Sequence, residues 1–141
     1  MKIITERLVG YSDLVVENGH LVPKKIRESV NFLNLKPRTG QEEGFVFYDK
    51  DDQNILICHV GITTKRERFE VSYGTEESFR ENGYMLEALN GLIDFIFSKT
   101  NEKIIWAIPN GEISQHILEK CGFRYFVEEN GIRWFALERG K

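Results

Sequence analysis

Cysteine, proline and long apolar runs are all scarce in this chain, and each scarcity removes a class of protein. Two cysteines in 141 residues, Cys58 and Cys121, cannot build a disulfide framework and read as reduced thiols of a cytoplasmic protein. The three prolines (Pro23, Pro37 and Pro109) fall between periodic segments, and no stretch rich in Gly, Ser or Pro divides the chain. One domain over residues 1–141 is therefore expected. No run approaches the roughly 20 apolar residues that span a bilayer, and the start MKIITERL lacks the apolar core of a signal peptide. A membrane partner is not expected. Basic charge is not in excess either. Nineteen Lys and Arg against 22 Asp and Glu leave a formal net charge of −3, which argues against a nucleic-acid partner. What the chain does have is core-forming material: 41% hydrophobic residues, enough at this length for a core without staples.

The hydrophobic pattern predicts an α/β order. Residues 2–9, rich in β-branched side chains, read as a first strand. From Pro23 to Leu35, Ile26, Val30, Phe32 and Leu33 recur at helical spacing, with Pro23 suited to the helix start. A three-strand meander follows: Phe45–Tyr48 and Ile55–Thr63 flank a polar turn, and Phe69, Val71 and Tyr73 alternate through Arg68–Gly74. Met85–Phe97 is a strongly amphipathic helix, Lys103–Ile108 a buried strand, and Glu112–Cys121 a third helix that Asn110 can cap. Two strands, Phe123–Val127 and Arg133–Leu137, close the chain.

Most charged clusters have plain explanations. The run Asp49-Lys50-Asp51-Asp52-Gln53-Asn54 lacks the glycine and the bidentate glutamate of a calcium loop and reads as a hairpin turn. His20, His59 and His116 have no metal-ligand spacing among themselves or with the cysteines. Lys65, Arg66 and Arg68 read as a solvated strand end. The informative segment is Arg80-Glu81-Asn82-Gly83-Tyr84, a glycine-containing loop feeding the strong helix. Such a junction aims backbone N–H groups and a positive dipole end at an anion such as a pyrophosphate, although one glycine before a helix is also an ordinary turn.

Read from the meander onward, the sequence resembles the GNAT acyltransferase superfamily, and within it the branch of ribosomal-protein N-terminal acetyltransferases. Glu70-Val71-Ser72-Tyr73 looks like that branch's E-I-G-Y strand. In register, Arg80 to Met85 falls on its acetyl-CoA loop, Q/R-x-x-G-x-G/A, and Glu87-Ala88-Leu89 on the E-A-L that follows. The stretch from Ser114 to Phe123 is similar to S-x-x-V-L-E-K-x-G-F, and Thr5-Glu6-Arg7-Leu8 matches the T-E-R-L with which such domains often begin. Met85 stands where the family has Gly or Ala, Glu81 where it tolerates Gly, and Asn110 one place from the family's Asn.

The resemblance implies a single GNAT-like α/β domain, with a mixed twisted sheet of about six to seven strands and flanking helices. The sheet would splay between the strand at Glu70 and the strand at Lys103. Acetyl-CoA would be the cosubstrate. Its pantetheine arm would pair near Tyr73, Gly74 and Thr75, and its pyrophosphate would rest on Arg80, Glu81, Asn82, Gly83, Tyr84 and Met85, with Asn110 nearby. The bulk of Met85 is expected to weaken that binding. The implied activity is acetyl transfer to a primary amine, either a protein N-terminus or a small-molecule amine, and a homodimer is compatible with the family. Because an amine attacks only when neutral, a carboxylate is needed to take its proton, and Glu70 at the head of the cleft strand is the candidate. Ser114 is similar to the serine that hydrogen-bonds the leaving thiolate. A CoA-binding or protein-interaction module without turnover is the alternative reading.

Overall fold

The N-terminal segment folds as a hairpin where one strand was expected over residues 2–9. In the computed structural model, which describes residues 1–23, 43–63, 68–75, 80 and 82–140, β1 (Lys2–Ile4) and β2 (Leu8–Tyr11) pair antiparallel. Thr5 causes the reversal. Its Oγ accepts the Leu8 N–H at 3.1 Å, and its own N–H donates to the Leu8 carbonyl at 2.9 Å. A second, separate hairpin was not foreseen. β3 (Leu14–Glu17) and β4 (His20–Pro23) flank Asn18-Gly19, with φ of 52° and 82°. Asn-Gly is a strong signal for such a turn, since both positions require φ > 0. Pro23 therefore ends a strand, and the rest of the helix expected to Leu35 lies outside the described residues.

The expected meander is present as β5 (Glu43–Asp49), β6 (Leu56–Thr63) and β7 (Glu70–Thr75), all antiparallel neighbours. Its first turn is built by carboxylates bonding their own backbone: Asp49 Oδ1 accepts the N–H groups of Asp51 and Asp52 at 2.8 and 3.1 Å. After β7 come α1 (Tyr84–Lys99), β8 (Ile104–Ala107), α2 (Glu112–Lys120), and the hairpin of β9 (Arg124–Glu129) with β10 (Ile132–Glu138). The main sheet has eight strands in the order β1-β2-β5-β6-β7-β8-β10-β9. The extra strand beyond the expected six to seven comes from the divided N-terminus. Among the described strands only β7 and β8 run parallel, as the two ends of a β–α–β unit closed by α1.

Among the described residues, both helices cover one face of the sheet. Phe45, Phe47, Val60, Ile62 and Val71 meet Leu89, Leu92 and Ile96 of α1 and Leu118 of α2, all buried. Full burial of each such side chain stabilises the fold by about 1.5–3 kcal/mol before entropy is counted. Among the described residues, no helix is long and apolar enough to cross a membrane, and no group of His, Cys, Asp or Glu could hold a metal ion.

Candidate active site

β7 and β8 pair at two positions only, Glu70 with Trp106 and Val71 with Ala107. β8 ends there, whereas β7 continues to Thr75 in register with β6, where Tyr73 faces Val60, Gly74 faces His59 and Thr75 faces Cys58. The sheet thus opens into a cleft beside residues 72–75, between its two parallel strands. Gly74 keeps the surface of β7 low at this point. A Cβ there would come within 2.8 Å of the His59 ring.

One side chain spans the gap on the helix-covered face. The Tyr73 hydroxyl donates to the Ser114 carbonyl at 2.7 Å and lies 2.8 Å from Ser114 Oγ, tying β7 to the first turn of α2. Burial pushes the Tyr73 phenol up to about 12, against a smaller lowering by the Ser114 hydrogen bond, so it keeps its proton at neutral pH. Ser114 Oγ also accepts the Asn110 N–H at 3.1 Å. Asn110 was expected to cap α2, but Gly111 occupies the cap with φ 104° and no side-chain bond. The serine one turn inside the helix satisfies the preceding backbone instead. Its hydroxyl is therefore held by two fixed partners.

Beyond β7 in the chain, Gly83 caps α1 with φ 77°, a left-handed conformation in which a side chain would be strained. No side chain caps this helix among the described residues, so its first-turn N–H groups point outward, and Arg80, Asn82 and Gly83 are exposed. A Cβ on Gly83 would meet nothing nearer than Arg7 Nη2, at 3.6 Å. Glu81 lies outside the described residues. Met85 points inward and is 5% exposed among the core side chains. Its bulk is taken up by the core, whereas the sequence had placed it at the loop surface.

The opposite face of the sheet carries Glu70, beside Trp106 in the β7–β8 register, with Oε1 shielded from solvent. Trp106 packs edge-on against Phe126 and Trp134, at centroid distances of 5.0 and 6.1 Å. A register shift at Trp134/Phe135 leaves Phe126 outside the β9–β10 pairing, which turns its ring toward Trp106. Arg68 was expected to be solvated. Its guanidinium instead lies 4.6 Å from the Trp106 ring and 4.7 Å from the Trp134 ring, and forks onto the Glu129 carboxylate at 2.7 and 3.1 Å.

The structure therefore brings Tyr73, Ser114 and Asn110 together, and Asn82, Gly83, Tyr84 and the Met85 backbone together at the helix start. Glu70 and Ser114 flank the gap from opposite faces and do not touch. Sequence reasoning gave no role to Arg7 and Glu87, which meet across 80 residues. The signal was there in the T-E-R-L and E-A-L stretches, which were noted only as matches.

A family model described as the acetyltransferase (GNAT) domain matches residues 8–124. No curated protein matches the chain. Among solved structures, a GNAT-family acetyltransferase from Bacillus anthracis aligns over 100% of both chains, at 19% identity and a TM-score of 0.68. The ribosomal-protein-S5-alanine acetyltransferase from Vibrio fischeri aligns over 99% of this chain and 97% of its own, at 17% identity and a TM-score of 0.66. A ribosomal L7/L12 α-N-protein acetyltransferase in complex with coenzyme A aligns over 98% of each, at 11% identity and a TM-score of 0.66. At these identities the likeness is one of fold.

Proposed function

Because the chain belongs to the GNAT acetyltransferase family, we propose that it moves the acetyl group of acetyl-CoA to a primary amine, of a protein N-terminus or of a small molecule. The observation that carries this reading is the parting of β7 from β8 after Val71, together with a helix start that no described side chain caps. The residues fit the cosubstrate. Gly83 is open to solvent at φ 77°, so an anion can approach the first-turn amides of α1 without meeting a Cβ. Arg80, Asn82, Gly83, Tyr84 and the Met85 backbone would hold the pyrophosphate, together with Glu81. Tyr73, Gly74 and Thr75 would lie along the pantetheine, and Asn110 close to the thiol end. When bound, acetyl-CoA supplies an acyl thioester, which is activated toward amines.

The chain's own groups then divide the work. Glu70 accepts the proton of the acceptor ammonium, directly or through a water, and so keeps the amine neutral for attack. A backbone N–H of β7 offers a hydrogen bond where negative charge develops on the acyl oxygen. Ser114 hydrogen-bonds the departing sulfur. Tyr73 and the Asn110 N–H fix the position of its oxygen, and its O–H turns from Tyr73 Oη to the sulfur as charge appears. The test is CoA titration by calorimetry, then a pH–rate profile on an amine panel for the unmodified protein, Glu70→Gln and Ser114→Ala. Both variants should lose about 10- to 1,000-fold in turnover while keeping their CoA affinity. The Glu70→Gln deficit should shrink as rising pH neutralises the amine. Unchanged turnover in both variants would remove these assignments. Bound CoA without turnover on any amine would favour the binding module.

A further inference from the structure

The T-E-R-L segment has no place in the chemistry above, yet the structure joins it to the helix that begins the anion-binding loop. Thr5 Oγ donates to Glu87 Oε2, and the Arg7 N–H donates to the same oxygen at 2.7 Å. Arg7 Nε donates to Glu87 Oε1 at 2.7 Å, and Arg7 Nη1 donates to the Asn82 carbonyl at 3.1 Å. The guanidinium also lies 4.1 Å from the centroid of the Tyr84 ring. One planar group thus touches the last turn of the loop, the first residue of α1, and a carboxylate one turn further in. Its Nη2 is the nearest atom to the space above Gly83. A fork of fixed geometry does this, and a lysine cannot reproduce it.

Resting on the proposed function, we infer that Arg7 is a positioning residue for the CoA pyrophosphate. It pulls the Asn82 carbonyl back toward the β1–β2 turn, which leaves the N–H groups after it aimed outward at the phosphates. The burial of Glu87 and its bonds to Thr5 and to the Arg7 main chain anchor the brace, so that β2 and α1 move as one unit at the loop. The chain thereby couples its first turn to a loop 75 residues later, and the loop's shape does not depend on glycine alone.

Calorimetric titration of Arg7→Ala and Arg7→Lys with CoA and with pantetheine, which lacks the pyrophosphate, tests this. Thermal melting of each variant runs alongside. Both variants should bind CoA about tenfold more weakly and bind pantetheine as the unmodified protein does. Full CoA affinity in Arg7→Lys beside a loss in Arg7→Ala would reduce the role to bare charge and overturn the inference. Equal weakening toward both ligands would make Arg7 merely structural, with the same consequence, and so would unchanged CoA affinity in Arg7→Ala. If the unmodified protein binds no CoA, the functional reading fails before this one is reached.

Discussion

Gly83 combines a left-handed backbone with open space above it, and two substitutions separate those properties. Gly83→Ala adds a Cβ in ordinary contact with Arg7 but forces an L-residue to φ 77°, so it should cost about 1–2 kcal/mol of stability in denaturant titration. Gly83→Val carries the same strain and adds bulk over the helix start, so CoA affinity should fall well beyond that of the alanine variant. A folded valine variant with full affinity would put the pyrophosphate elsewhere. The cysteines offer a second residue-scale expectation. Burial pushes the Cys58 thiol up to about 12 and Cys121 up to about 11. At pH 8 the Cys121 thiolate is then about one part in a thousand, and neither thiol should react appreciably with iodoacetamide until the protein unfolds. Rapid labelling of Cys58 in the folded protein, read by mass spectrometry, would contradict its buried placement.

Between elements, the brace from β2 to α1 has a pH signature. Burial alone would raise the Glu87 carboxyl. The Thr5 hydroxyl, the Arg7 N–H and the Arg7 guanidinium outweigh it, and the group ionises below its usual range. A depressed carboxyl contributes stability above its unfolded value of about 4.3, and that contribution is lost as pH falls through the folded value. Glu87→Gln should therefore cost about 1 kcal/mol at pH 7, discounted because Arg7 is 41% exposed, and the gap to the unmodified protein should close on acidification. A gap that is constant down to pH 2 would show that charge has no part in it. The T-E-R-L and E-A-L stretches stood out along the chain, but that they pair could not be read there. Alternation marked the meander and helical period marked both helices, because those signals are local. The Arg7–Glu87 and Tyr73–Ser114 contacts join residues 80 and 41 positions apart and exist only once the sheet has formed. The Asn18-Gly19 turn was legible, since Leu14-Val15-Val16 and Leu21-Val22 flank it, but these apolar runs are too short to show a helical or strand period. Asn110 looked like a cap because its residue type favours one, and the Ser114 side chain took over the exposed backbone from inside the helix.

At the scale of the molecule, Arg68 closes the far side of the opening that Tyr73 bridges on the helix side. Its stack on Trp106 and Trp134 and its fork onto Glu129 join the start of β7 to β8, β9 and β10. Arg68→Ala should lower the melting temperature by about 3–6 °C and loosen the β9–β10 hairpin. An unchanged melt would mean that the strand ladder alone fixes the hairpin. Two backbone pairs within a sheet of eight strands make a weak link in cooperativity. The ladder β1-β2-β5-β6-β7 and the ladder β8-β10-β9 share a helix-covered core but little hydrogen bonding. Native-state hydrogen exchange should then sort their amides into two populations with different opening free energies. A ligand whose own amides occupy the gap would complete the ladder across it, merging the two populations into one and sharpening the unfolding transition.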